Sequence, residues 1–160
     1  MTLKLCQATS TDAPRIAEIH MAAFGSNALL RAQFPTPAVR ATLQLAIEQK
    51  ALADIHDPKT SVLVVRDLKQ KQEGGVSMTQ EYTDEAKGEV VSFSKWGHPI
   101  SEGEDYTEPM WIWPDGTNLD LLDKWSQKAD VAYKNTLGHT PCYRKCSELP
   151  VSLSTSILSS

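Results

Sequence analysis

Between Ser101 and Asp123 the sequence carries Glu102, Glu104, Asp105, Glu108, Asp115, Asp120 and Asp123, with no Lys or Arg among them. Tyr106, Trp111 and Trp113 are interleaved with these acids, and Trp96 lies just upstream. Carboxylates and aromatic faces together attract a cation, each ring contact contributing about 0.5–2 kcal/mol. The other reading of the same stretch is a solvated acidic loop whose tryptophans pack on the core. Glu108 and His98 are the nearby groups able to move a proton, and spacing singles out neither. "HTPCYRKC" puts His139, Cys142 and Cys146 close together, but they supply at most three ligands where zinc usually takes four, so no metal is expected. His20 lies near the apolar face of a predicted helix and reads as a core histidine.

The elements that must position these residues follow from periodicity and start and stop signals. "LKLCQAT" alternates Leu3, Leu5 and Gln7 against Lys4, Cys6 and Ala8, which predicts a first strand. A helix follows over "STDAPRIAEIHMAAF". Ser10, Thr11 and Asp12 offer capping oxygens, Pro14 fits the first turn, and Gly25 is expected to end it in a left-handed conformation. Asn27 to Phe34 reads as a short helix or a structured loop. Thr36 and Pro37 open the next helix, Val39, Leu43, Ala46 and Ile47 line one face of it, and Asp57-Pro58 breaks it. "SVLVVRD", Ser61 to Asp67, predicts a buried strand paired antiparallel with Glu89 to Trp96. In that second strand, strict alternation sets Val91, Phe93 and Lys95 opposite Val90, Ser92 and Ser94. A last helix is predicted from about Asn118 to Lys134, with Thr117 as cap, Gly138 near its end, and a stripe of Leu119, Leu122, Trp125, Ala129 and Ala132. Trp96, on a strand, is expected to matter more for stability than Trp113, in a loop.

The 160-residue chain is 41% hydrophobic and 22% charged, with a net charge of −4. That composition predicts one globular domain and argues against a nucleic-acid partner. No signal peptide or transmembrane segment is read, and three cysteines in such a chain point to the cytoplasm, or the nucleus. The expected organisation is an incomplete domain over 1–146, with a polar loop or insertion at 68–87, and a disordered serine-rich tail over 147–160. The fold class is α+β: a mixed, mostly antiparallel sheet in the order strand, helix, helix, strand, strand, then helix.

This order, with "ATSTDAPRIAEIHMAAF", "NALLRAQFPTP", "VLVVRD", "GEVVSFSKW" and "YTEPMWIWPDGT", resembles the N-terminal portion of a GCN5-related N-acetyltransferase, the fungal members above all. The likeness runs from Leu3 to Tyr143. It implies a partial fold of that family, acetyl-CoA as cofactor, and a small amine or protein amine as acceptor. The implied reaction is attack of the deprotonated amine on the thioester, with backbone N–H groups polarising the carbonyl. Trp96, Tyr106, Trp111 and Trp113 become acceptor-binding candidates, and Glu108 and His98 candidate bases. The family continues with a fourth strand and a Q/R-x-x-G-x-G/A turn, whose backbone N–H groups at a helix N-terminus cradle the pyrophosphate. Here the glycines stand at 25, 74, 75, 88, 97, 103, 116 and 138, none spaced as G-x-G, so no cofactor-binding residue is identified. The end of the chain looks like a replaced one. The alternative expectation is therefore a non-catalytic, truncated acetyltransferase-like fragment, or an interaction module that pairs with a protein partner through an exposed sheet edge. A third reading places a degenerate fourth strand between Cys142 and Ser152, beside the strand of Trp96.

Overall fold

The structure, a computed structural model, describes residues 2–68, 88–101, 103–138 and 143–145. The expected polar loop and serine-rich tail lie, but for Leu68, outside the described residues, as do His139, Cys142 and Cys146.

The order is β1 (Leu3–Gln7), a 3-10 turn (Ser10–Asp12), α1 (Ala13–Phe24), α2 (Ala28–Gln33), α3 (Pro37–His56), β2 (Thr60–Asp67), β3 (Glu89–Gly97), α4 (Leu119–Leu137) and β4 (Arg144–Lys145). The α+β class and the antiparallel sheet are as the sequence predicts. The strands lie in the order β1-β2-β3-β4 with every neighbouring pair antiparallel. The short β4 pairs with Trp96 and Gly97, which is where the third sequence reading placed a fourth strand.

Local chemistry explains most boundaries. The backbone N–H of Thr9 donates to Asp12 Oδ2 at 2.8 Å, so the acid caps the turn that leads into α1. Asp12 also takes Arg66 Nη2 on both oxygens at 2.7 Å, a buried ion pair joining the start of α1 to β2. Asn27 Oδ1 accepts the N–H of Leu29 at 2.8 Å and opens α2, which settles that segment as a helix. Thr36 Oγ1 accepts the N–H of Val39 at the start of α3, with Pro37 in its first turn. For α4 the cap is Asn118, not Thr117: Asn118 Oδ1 accepts the N–H of Leu121, whereas Thr117 Oγ1 donates back to the Pro114 carbonyl. Gly25 is right-handed, with φ −59°, so α1 runs into its next turn without a left-handed cap.

The strand pairing decides which face is covered. Cys6 and Phe93 flank Val64 on the inner face, against Ala13, Ile16 and Ala51 of the helices. Leu3 and Leu5 therefore point the other way and are exposed. β3 departs from strict alternation: Val65 pairs with Ser92 and Arg66 with Val90, leaving Val91 as a bulge. That extra residue puts Val90 on the same face as Phe93 and Lys95, and Val90 and Lys95 are both buried. A second core cluster holds Ala17, Leu30, Phe34, Leu43, Ile47 and Leu122, with Trp111 and Trp113 packed on it. Of the stripe predicted on α4, only Leu122 is buried; Leu119, Trp125 and Ala132 remain exposed.

Candidate binding pocket beside the tryptophan stack

Residues 103–118 connect β3 to α4 without a regular element, so backbone turns set their course. Gly116 supplies the last of these at φ +85°, a conformation that side chains with a Cβ rarely take. The buried Pro114 and the turn after it bring Trp111 and Trp113 against α2 and α3. The two indoles stack with centroids 4.8 Å apart and planes 3° from parallel. Trp113 meets the ring of Phe34 at 5.9 Å, and Lys95 Nζ stands 5.8 Å from the centroid of Trp111. A cation, two indoles and a phenyl ring thus follow one another, an order that suits the negative faces of the rings.

Beside this stack lies a cavity of about 260 Å³. α1 contributes His20 and Phe24, α2 contributes Leu30 and Gln33, α3 contributes Leu43 and Ile47, and Trp125 of α4 closes one side. The ring of His20 lies 5.1 Å from that of Phe24, and His20 is buried, as a core histidine should be. It is the one titratable residue among those lining the cavity. Gln33 is 2% exposed, and its Nε2 is buried with no hydrogen-bond partner. Its backbone carbonyl accepts the N–H of Asn118 at 2.7 Å, which ties the end of α2 to the start of α4.

A charged cluster lies next to Trp111. Lys50, Asp54 and Lys95 are all buried, and the Asp54 carboxylate serves both lysines, with Lys95 Nζ at 3.2 Å. Glu108 is half exposed, 3.7 Å from Lys50 Nζ. Two ammonium groups thus face two carboxylates, which meets the requirement that buried charges be paired. A second network surrounds Asp57. Tyr106 donates its hydroxyl to Asp57 Oδ2 at 2.6 Å, Thr60 Oγ1 donates at 2.7 Å, and the N–H of Lys59 donates to Oδ1 at 2.9 Å. Burial by itself pushes the Asp57 carboxyl up. The three hydrogen bonds outweigh that and, with the charge of Lys50, hold it below the ordinary carboxylate value. The Tyr106 phenol moves up, first through burial, then through its bond to Asp57 and the negative charges of Asp57 and Glu108. Glu104 pairs with Lys59, whose bond holds that carboxyl below its ordinary value.

The residues singled out in the sequence therefore separate. Trp111 and Trp113 line the cavity. Tyr106 is bound to Asp57, and Trp96 stands on the opposite, outer face of the sheet, where its indole N–H donates to Ser94 Oγ at 3.2 Å. His98 Nε2 is 2.8 Å from Ser61 Oγ, with the Tyr143 ring at its edge 5.7 Å away, and Glu108 faces Lys50. Neither candidate base lines the cavity. Sequence reasoning missed His20, Phe24 and Gln33 as lining groups. The available signal was Gln33 itself, a polar residue three after Leu30 and next to Phe34 on an otherwise apolar helix face.

No known protein family matches the chain, and no curated protein does. One solved structure with a related arrangement is described as histone acetyltransferase HPA2 and related acetyltransferase from Corynebacterium glutamicum. It is 17% identical, with a TM-score of 0.41, over 81% of this chain and 72% of that one. Among the described residues the positive-φ glycines Gly88, Gly103, Gly116 and Gly138 are scattered, and no pair of them opens a helix. Among the described residues, no three His, Cys, Asp or Glu converge as metal ligands, and no helix is long and apolar enough to cross a membrane.

Proposed function

We propose that the chain is an acetyltransferase-like domain whose acceptor side is the cavity beside Trp111 and Trp113. The observation that carries this reading is the convergence of those two tryptophans with α1 and α2 around an open, aromatic-walled space of about 260 Å³. N-acetyl transfer from acetyl-CoA to a small amine or protein amine is the activity that the sequence resemblance attaches to such a domain. His20 is the lining group able to take a proton from an amine held there.

Thermal unfolding with and without acetyl-CoA tests this. At 100 times its dissociation constant a ligand stabilises by about 2.7 kcal/mol. For a chain of this size the midpoint then rises by about 5–10 °C. That rise, with release of free thiol when an amine is added, supports the enzyme reading. An unchanged midpoint in a cooperative melt sinks it.

A second reading rests on a separate observation. Among the described residues, β4 covers β3 only at Trp96 and Gly97, so the outer edge from Glu89 to Lys95 has no strand beside it. Such an edge offers backbone donors and acceptors to another chain. On this reading the chain is a non-catalytic module that binds a protein partner by strand addition, and it gives no acetyl-CoA response.

A further inference from the structure

We propose that a groove along α4, together with the cavity it adjoins, binds an amphipathic anion: an apolar body that enters the cavity and one carboxylate that rests on Lys124 and Lys128. The groove runs between Leu29 of α2 and the side of α4 that carries Leu121, Trp125, Lys128 and Ala132. Those four recur at steps of four, three and four, which places them on one face of a helix. Leu29 and Trp125 line the cavity as well as the groove, so the two spaces meet across these side chains.

The charge of α4 is divided between its sides. Lys124 and Lys128 line the groove, whereas Asp120, Asp123 and Asp130 of the same helix do not. Asp123 instead takes the side-chain amide of Gln127 at 2.7 Å. Both lysines are exposed, and neither forms an ion pair among the described residues. No described carboxylate lines the groove or the cavity. A wall with two positive charges and no negative one is complementary to an anion. A second copy presenting the same face would set lysine against lysine, so self-association does not suit it.

The position of the lysines sets the form of the guest. Lys128 stands one helical turn beyond Trp125, and both lysines reach the groove that Trp125 borders. An acid group on a short arm therefore meets them while its body lies on the cavity side of that indole. A dry cavity of about 150 Å³ accepts benzene, so the 260 Å³ here admits a body of two fused rings. The carboxylate keeps its water at the exposed lysines, and only the body is desolvated, so no charge is buried. This inference goes beyond the reading of the cavity as an acceptor side and does not depend on acetyl transfer.

Three probes with one body and different charge test it: 3-(2-naphthyl)propanoate, its primary amide, and 3-(2-naphthyl)propylamine, each titrated into the full chain by calorimetry at low salt. The carboxylate should bind about fivefold more tightly than the amide, the size of two exposed ion pairs, and the amine more weakly than either. The advantage of the carboxylate should shrink in about 0.5 M salt, where such pairs are screened. In the double variant Lys124→Gln, Lys128→Gln it should vanish, and Trp125→Ala, which removes the shared wall, should weaken the carboxylate and the amide alike. Equal affinities for carboxylate and amide, tightest binding of the amine, or a preference that survives the double variant each overturn the proposal. So does an affinity that Trp125→Ala leaves unchanged, or no binding up to the solubility limit. The comparison in the unaltered chain stands even if a variant fails to fold. Acetyl-CoA is absent from these titrations, so the charge preference and the acetyl-transfer reading stand or fall separately.

Discussion

Tyr106 contributes as a donor to a buried charge and not as a ring in the cavity. Its hydroxyl, the Thr60 hydroxyl and the Lys59 N–H together hold Asp57 ionised just where α3 ends. Tyr106→Phe removes one donor to a charged acceptor, which predicts a loss of about 1–2 kcal/mol at pH 7. The pH dependence has a definite sign. Because the Asp57 carboxyl is held below its ordinary value of 3.8, its stabilisation is complete above that value and is lost as pH falls through the lower, folded one. The gap between the two proteins should therefore narrow in acid. The Tyr106 phenol is shifted the other way, so its contribution is complete below the ordinary value of 10.0 and is lost as pH rises through the higher, folded one. Urea melts from pH 2 to pH 11 check both limbs. A gap that stays constant below pH 4 would show that the hydroxyl does not act through Asp57. The composition of the acidic stretch was legible in the sequence. The pairing of Tyr106 with Asp57 was not, because 49 residues separate them.

At the scale of elements, a residue's place on a strand proves a poor guide to its weight. Trp96 belongs to β3 yet is 40% exposed on the outer face of the sheet, which none of the described helices covers, whereas Trp113 belongs to an irregular segment and packs between Trp111 and Phe34. This reverses the order expected from sequence. Trp113→Ala should cost about 2–4 kcal/mol by cavity formation, and Trp96→Ala under about 1 kcal/mol. Guanidinium melts of the two variants decide between the orders, and equal losses would contradict the packing described above. The helices were legible where caps and periods agreed, as at Thr36-Pro37 and along Leu43, Ala46 and Ile47. On α4 the period was right but the inference from it was not. An apolar stripe shows which face could be buried, and of this one only Leu122 is.

The whole molecule divides its core unevenly. One cluster joins α1, α3, β2 and β3, and the other joins the middle of α1 and α3 to α2, the tryptophans and α4. α4 enters the second cluster through Leu122, and beyond it Trp125, Val131 and Leu137 are exposed. Amide hydrogen exchange should accordingly be slowest in β2 and the facing turns of α1 and α3, and fastest in α4 past Trp125. Uniform protection across all four helices would refute the division. The order of elements could be read from the chain because it depends on neighbours in sequence. The cavity could not, because it forms where residues from positions 20 to 125 meet. The bulge at Val91 has a consequence of its own for chain length. Side chains on a strand keep two parities, and an inserted residue normally exchanges them for everything that follows. Val91 stands outside that count, so Val90 and Lys95 share a parity just as they would in a strand one residue shorter. A β3 that shed Val91 would therefore still present Val90, Phe93 and Lys95 to the same face of the sheet.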